Sequence, residues 1–141
     1  MIYNDQLFMI EDQVDQLCDV LKKSKTFQNY LQQKRTMYED GQVQKLRKDF
    51  ITKREAFEAI AAYGKYAPDR RKKQLAVREA KRALDLHPKV AEFHYAETKL
   101  QTVLDVIGST IALAISEEIK VDAGNPFFES KTSRGGHCHV R

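Results

Sequence analysis

Apolar residues recur at alternating spacings of three and four along most of this 141-residue chain. That spacing places them on one face of an α-helix, whereas a half-buried β-strand would show them at every second position. The chain has only six glycines and three prolines, too few for the many turns of a β-sandwich or barrel. The sequence therefore predicts an all-α protein. Its first apolar stripe consists of Leu7, Ile10, Val14, Leu17 and Leu21.

Residues that cap or break helices divide the pattern into about five segments. Ser24 or Thr26 can cap the second helix, and Asp69 favours the start of the fourth because a carboxylate there meets the positive end of the helix dipole. Gly64 is placed to end the third helix in the left-handed conformation, and Pro88 suits the first turn of the fifth. The predicted helices cover approximately residues 5–22, 24–40, 42–63, 69–86 and 88–119.

The fifth predicted helix is unusually long, about 45–50 Å at 1.5 Å per residue. A compact domain of this size has a radius of gyration of about 14–15 Å. We therefore expect an elongated antiparallel helical hairpin or bundle with one long C-terminal helix. Over residues 103–115 the apolar side chains cover more than one face of that helix, so a second chain is expected to cover it. The predicted interface residues are Leu104, Ile107, Ile111, Leu113 and Ile115.

The composition changes after Val121, which divides a helical domain over residues 1–121 from a flexible tail over residues 122–141. Phe127 and Phe128 form an apolar pair outside any helical repeat. Such a pair either folds back onto the core of its own chain or anchors the tail on a partner.

Near its end the tail carries His137, Cys138 and His139, three residues of metal-ligating types. Three consecutive residues rarely surround a metal ion without a fourth ligand from elsewhere. A metal- or redox-sensing tail and a tail that merely contains these residues therefore both remain open.

The net charge of +4 is unevenly distributed. It is −5 over residues 1–21, +11 over 22–82 and −2 over 83–141. A basic middle segment can attract RNA phosphates or an acidic protein surface, although lysine and arginine are also ordinary solvent-facing residues of helices. The basic residues that could make such contacts are Lys45, Arg47, Lys48, Arg70, Arg71, Lys72 and Lys73.

No arrangement typical of catalysis stands out in the sequence. The glycines match neither a phosphate-binding loop nor a dinucleotide-binding turn. Glu117 and Glu118 are adjacent and therefore point in different directions on a helix, which is unsuitable for paired acid and base catalysis. We expect a protein that is not an enzyme and that binds no cofactor by itself.

The sequence indicates an intracellular protein. The first 21 residues carry acidic groups instead of the basic and apolar regions of a signal peptide. The apolar stretch over residues 103–115 is shorter than the roughly 20 residues that span a bilayer. Two cysteines are too few for a disulfide framework, and Cys18 is expected to be a small buried residue of the first helix. We expect a cytoplasmic location without membrane insertion.

The most distinctive motifs of the chain lie in loops and at helix ends. They are Tyr63-Gly64-Lys65-Tyr66 with Pro68-Asp69, Leu84-Asp85-Leu86 with Lys89-Val90-Ala91 and Phe93, Ala114, Ser116-Glu117, Lys120-Val121 and Gly124-Asn125-Pro126-Phe127-Phe128. Together they resemble the YlbF/YmcA family of regulators of Gram-positive bacteria over nearly the whole chain, most strongly its YlbF branch.

This resemblance implies an all-helical, non-enzymatic regulator that forms oligomers and acts in a complex with YmcA-like and YaaT-like subunits. It also implies a role in directing the membrane-attached endoribonuclease RNase Y in mRNA processing, and thereby in competence, sporulation or biofilm development. The family complex is linked to iron–sulfur clusters, which need several thiolates. The tail offers only Cys138, so a cluster would need ligands from a partner. A direct RNA-binding helical module is the alternative function.

Overall fold

The computed structural model describes residues 5–61 and 63–127, apart from the side chain of Lys65. These residues form five α-helices and one short 3-10 helix, and they contain no β-strand. The helices are α1 (Asp5–Lys23), α2 (Lys25–Tyr38), α3 (Gly41–Ala61), the 3-10 helix (Gly64–Tyr66), α4 (Arg70–Asp85) and α5 (Pro88–Ile115). The all-α prediction and the number of helices are confirmed.

The helix ends are set by side-chain hydrogen bonds and by backbone conformation. Ser24 caps α2, because its hydroxyl accepts a hydrogen bond from the Phe27 amide at 3.2 Å. Gly64 has the predicted positive φ of 62°, although α3 ends earlier, at Ala61. Asp69 precedes α4 as predicted, but its own backbone is left-handed and its side chain makes no capping bond.

The fifth helix ends four residues earlier than predicted, at Ile115 instead of about Ile119. The hydroxyl of the next residue, Ser116, accepts a hydrogen bond from the Glu118 amide at 3.2 Å. Serine side chains offer the backbone such local bonds in place of the helical ones, which favours a turn at this point.

The described residues up to Tyr95 form one compact unit. Its centre is the antiparallel pair of α3 and α4, and Ala80 of α4 is buried, with 4% of its surface exposed. The start of α5 adds Val90 and Phe93, and the Phe93 ring lies 5.6 Å from the ring of Tyr30 on α2. The buried residues of the unit are Val43, Ala67, Ala80, Val90 and Phe93, and they form its core.

The first helix contributes nothing to that core. None of its residues is buried, and the exposed fractions of Ile10, Val14 and Leu17 are 61%, 52% and 37%. The predicted apolar stripe therefore exists, but the described residues leave Ile10, Val14 and Leu17 uncovered. Cys18 is exposed, so the prediction that it is buried is wrong. The spacing of apolar residues defines the faces of a helix, but it does not show which face another element covers.

The carboxylate of Asp40 links the start of α3 to the start of α5. Its Oδ1 accepts hydrogen bonds from the amides of Gln42 and Val43 at 2.8 and 2.9 Å, which caps α3. Its Oδ2 accepts a bond from Lys89 Nζ, in the first turn of α5, at 2.6 Å. The bond from Lys89, followed by the bond from the Val43 amide, lowers the pKa of Asp40 to about 2.

Replacing Asp40 with asparagine keeps a good capping residue and removes the charge that pairs with Lys89. We expect D40N to melt at a lower temperature than the wild type at pH 7. Because the folded pKa lies below the unfolded value of about 3.9, the stabilisation by this carboxylate is present above about pH 4 and is lost as the pH falls through about 2. The difference between the two melting temperatures, measured by circular dichroism, should therefore shrink over that range.

Asp49→Asn is the matched control, because Asp49 makes only an exposed ion pair with Lys53 one turn away on α3. Such pairs contribute little to stability. If both variants lose the same amount of melting temperature with the same pH dependence, the Asp40 carboxylate does not stabilise the fold in the way described.

Candidate partner-binding surfaces

The C-terminal half of α5 presents a large apolar surface to solvent. The exposed fractions of Leu104, Ile111 and Ile115 are 43%, 52% and 73%, while Ile107 and Leu113 are half-buried. In the most apolar 18-residue stretch of the helix, only 11% of the residues are buried. Soluble monomers rarely leave a contiguous apolar surface of this kind open, so these residues form a candidate partner-binding face.

By length and composition alone, α5 is long enough and apolar enough to cross a membrane. Residues 103–115 alone are too short to span a bilayer, but the apolar character of α5 extends beyond them. The core helix of a soluble protein passes the same test, and Asp105 lies inside this stretch. The absence of membrane insertion stays a prediction.

Asp105 is the one charged residue that is buried among the described residues, with 6% of its surface exposed. Its carboxylate accepts hydrogen bonds from the amides of Gly124 and Asn125, each at 2.9 Å, and from the side-chain amide of Gln101 at 2.9 Å. Asn125 Nδ2 also donates to Thr102 Oγ1 at 3.1 Å. The segment after α5 is thereby fastened back onto the helix, which anchors this part of the predicted tail.

These bonds decide the charge state of Asp105. Burial raises the pKa of its carboxyl, but the bonds from Gln101, Gly124 and Asn125 together outweigh burial, and the pKa lies below its ordinary value. The carboxylate is therefore ionised at neutral pH and accepts from all three donors.

The fastened segment carries Phe127 into solvent. The Phe127 amide donates to Asn125 Oδ1 at 3.1 Å, and 89% of the Phe127 residue surface is exposed. Phe127 is therefore not packed against the described residues of its own unit. Phe128 lies outside the described residues.

The candidate basic residues fall into two separate groups. Lys45, Arg47 and Lys48 lie near the start of α3, beside the end of α4, because the two helices run antiparallel. The group of Arg70, Arg71, Lys72 and Lys73 lies at the start of α4, about ten residues or ~15 Å further along the helix pair. All but the half-buried Lys73 are exposed, and none of the seven forms an ion pair with a described residue. The structure therefore does not join them into one basic patch.

A pocket of about 440 Å³ opens in the first unit where the end of α2, the helices α3 and α4 and the start of α5 converge. Its lining is mainly apolar, and it also includes exposed basic side chains, which form the rim, and one carboxylate, that of Asp85. The apolar lining residues include Met37, Val43, Phe50, Ile51, Leu84 and Phe93, and the basic ones are Arg47, Arg54, Lys81 and His94.

The predicted metal ligands His137, Cys138 and His139 lie outside the described residues. Within residues 5–61 and 63–127 there is no group of three or more His, Cys, Asp or Glu side chains that could hold a metal ion. Metal binding by the tail stays a prediction.

Comparison with known proteins shows where this helical arrangement belongs. The family described as "Control of competence regulator ComK, YlbF/YmcA" matches residues 10–116. The chain belongs to the YlbF/YmcA family. The "Regulatory protein YlbF" of Bacillus subtilis strain 168 is 38% identical over 129 residues, covering 92% of this chain and 87% of that protein. The chain is thus a YlbF-like regulatory protein.

A solved structure extends the comparison from sequence to fold. A chain in the X-ray crystal structure of Bacillus subtilis RicA in complex with RicF is similar to this one with a TM-score of 0.74 and 35% identity. The similarity covers 80% of this chain and 98% of that chain. The architecture of this YlbF/YmcA family member therefore also occurs in a complex of two proteins.

Sequence reasoning did not find the roles of Asp40 and Asp105. A charged residue inside an apolar run was the available signal for Asp105, because a buried carboxylate needs hydrogen-bond donors. The sequence did not show that the donors come from Gly124 and Asn125, 19 and 20 residues later. The pocket was also missed, since it is formed by four helices.

Replacing Asp105 with alanine removes three hydrogen bonds at once and should release the segment from α5. We expect hydrogen exchange at the Gly124 and Asn125 amides to accelerate by about tenfold or more, because each amide loses its acceptor. Hydrogen exchange followed by NMR measures both amides directly.

Glu117→Ala is the matched control, since Glu117 is an exposed carboxylate in the same part of the chain. Unchanged exchange in D105A, with intact α5 helicity, would show that the carboxylate does not hold the segment.

Proposed function

We propose that this chain is a non-enzymatic adaptor of the YlbF type, which assembles with related YmcA-like and YaaT-like subunits in the cytoplasm. In that complex it modulates the processing of mRNA by an RNase Y-like ribonuclease, and thereby competence, sporulation or biofilm development. The observation that carries the proposal is the uncovered apolar face of α5 in a member of the YlbF/YmcA family.

The apolar face of α5 supports protein binding, because exposing apolar side chains to water is unfavourable in free energy. Covering them with a second protein surface removes that penalty. Complete burial of an isoleucine side chain contributes about 1.5–3 kcal/mol, and Ile111 and Ile115 are both more than half exposed. The structural similarity to a chain of the RicA–RicF complex supports the same interpretation. Phe127, presented on its fastened segment, is a second anchor for a neighbouring subunit.

The two carboxylates with shifted pKa values support a structural protein over a catalyst. Asp40 caps α3 and binds Lys89, and Asp105 holds the backbone of Gly124 and Asn125. Perturbed carboxylates in an enzyme usually face a substrate cleft. In this chain, both carboxylates use their hydrogen bonds to hold parts of the fold together.

Ile111→Asp places a charge in the middle of the apolar face of α5. We expect the variant to associate with itself and with YmcA-like and YaaT-like subunits at least about tenfold more weakly, because a carboxylate is costly to bury in an apolar interface. Sedimentation velocity of the protein alone and of each mixture measures the change.

Thr110→Asp is the control, because Thr110 is an exposed polar neighbour on the same helix. If I111D and T110D assemble as the wild type does, α5 is not the interface. A wild-type chain that remains monomeric and ignores both partner types would overturn the adaptor function.

A second candidate function is direct RNA binding through α4. This helix carries seven basic residues and two acidic ones, and Arg70, Arg71 and Lys72 are exposed at its start. Such a cluster can neutralise phosphates, and the resulting affinity falls as the salt concentration rises.

Reversing both charges with Arg70→Glu and Arg71→Glu tests this function. If RNA binds at the start of α4, the double variant should bind weakly, and the slope of log affinity against log salt should fall by about 1.4 for single-stranded RNA. Fluorescence anisotropy with a labelled oligonucleotide measures both quantities.

The matched control reverses Lys45 and Lys48, which lie at the other end of the helix pair. Equal losses of RNA affinity in both double variants would indicate that the overall positive charge attracts RNA without a defined binding site. No RNA affinity of the wild type at low salt would exclude the second candidate.

A further inference from the structure

The pocket in the first unit has the properties of a receptor for one bulky apolar side chain. Its volume of about 440 Å³ lies in the range of ordinary ligand pockets, and residues of four helices line it. Because the walls belong to packed helices, a side chain entering the pocket meets a surface that is already formed. In protein interfaces, the side chains that contribute most of the binding energy tend to occupy well-packed pockets of this kind.

The rim of the pocket favours a negatively charged partner. Arg54 pairs with Glu58 and Lys81 pairs with Asp85, so both of these charges are partly compensated. Arg47 forms no ion pair with a described residue, and its guanidinium lies 5.8 Å from the centre of the Tyr38 ring. A carboxylate near the anchor side chain of a partner would therefore find an available cation at the rim.

The chain itself carries an anchor with this chemistry. Phe127 is 89% exposed, and Asp122, five residues earlier, is an exposed carboxylate of the same segment. The bonds of Asp105 and Asn125 hold the backbone before Phe127 in place. A segment that is ordered before binding loses less conformational entropy on docking than a mobile one.

We propose that Phe127 of one copy docks into the pocket of a second copy, with Asp122 close to Arg47. This inference rests on the proposed function, in which Phe127 binds a neighbouring subunit. It adds the pocket as the surface that receives Phe127. Each copy carries one anchor and one pocket, so two copies that exchange anchors satisfy both sites and close the assembly.

The absence of tryptophan from the sequence makes a direct test possible. Phe127→Trp introduces a single tryptophan at the anchor, where it is solvent-exposed in the free chain. As the concentration rises from about 2 to about 200 µM, docking on a second copy should shift the emission to the blue and reduce quenching by acrylamide. Emission that remains solvent-like over the whole range would overturn the proposal. Blue-shifted emission independent of concentration would also overturn it, because the anchor would then be buried within its own chain.

Variants of the pocket identify the receptor. In the F127W background, Arg47→Glu should raise the concentration for half-maximal shift about tenfold, the scale of one reversed charge contact. Arg35→Glu is the control, since Arg35 is an exposed cation of α2 that does not line the pocket. Ile51→Phe provides a second, uncharged variant that fills part of the pocket and should have the same direction of effect. A shift that neither R47E nor I51F changes, with native helix content by circular dichroism, would overturn the pocket as the receptor.

Sedimentation of the same F127W samples separates this proposal from the proposed function. If the protein forms oligomers while the tryptophan stays solvent-exposed, the docking of Phe127 is wrong and the adaptor function stands. If the emission shifts to the blue only after a YmcA-like subunit is added, the anchor binds a related chain and the proposed second copy is wrong. If neither oligomers nor mixed complexes form, both proposals fail.

Discussion

The hydrogen bonds of the Asp40 carboxylate are the interactions on which the arrangement of the first unit depends. One carboxylate caps α3 through two backbone amides and binds Lys89 in the first turn of α5, 49 positions along the chain. Helix α3 begins at this point, and α4 packs along α3, so the position of the carboxylate sets where the long helix starts relative to the pair. Val43, which donates to Asp40, and Val90, next to Lys89, are both buried. The polar junction thus lies directly against the apolar core.

Elsewhere, the part of the chain that the structure describes leaves large apolar surfaces uncovered. Helix α1 buries none of its residues, and the second half of α5 leaves Leu104, Ile111 and Ile115 exposed. In a globular protein such faces would be covered by another element of the same chain. These faces are the surfaces at which the proposed function places neighbouring subunits. The buried Asp105 holds the segment that carries Phe127, because it accepts hydrogen bonds from the backbone of that segment.

Much of the fold could be predicted from the sequence, because helix periodicity and capping are local properties. The cap at Ser24, the positive φ of Gly64 and the start of α5 at Pro88 depend on residues only a few positions away. The features that could not be predicted depend on distant residues. The acceptor role of Asp105 needs a segment about 20 positions later, and the pocket needs four helices to converge. The exposure of Cys18 was missed for the same reason, since local spacing does not reveal whether another helix covers α1. The candidate interface residues of α5 were predicted from the spread of apolar residues around the helix. Leu104, Ile111 and Ile115 are exposed, Ile107 and Leu113 are half-buried, and their role in an interface stays a prediction.

The sequential packing of the first unit also has a kinetic consequence. Its helix contacts mainly join neighbours along the chain, α1 with α2, α2 with α3 and above all α3 with α4. Proteins built from such local contacts have low contact order and fold within microseconds to milliseconds, because little chain entropy is lost in closing each loop. Encounters between chains at cellular concentrations are slower than that, with typical association rate constants of about 10⁵–10⁷ M⁻¹s⁻¹. If the chain assembles as proposed, its helix pair is therefore complete before it meets another subunit, and assembly proceeds by the collision of folded surfaces.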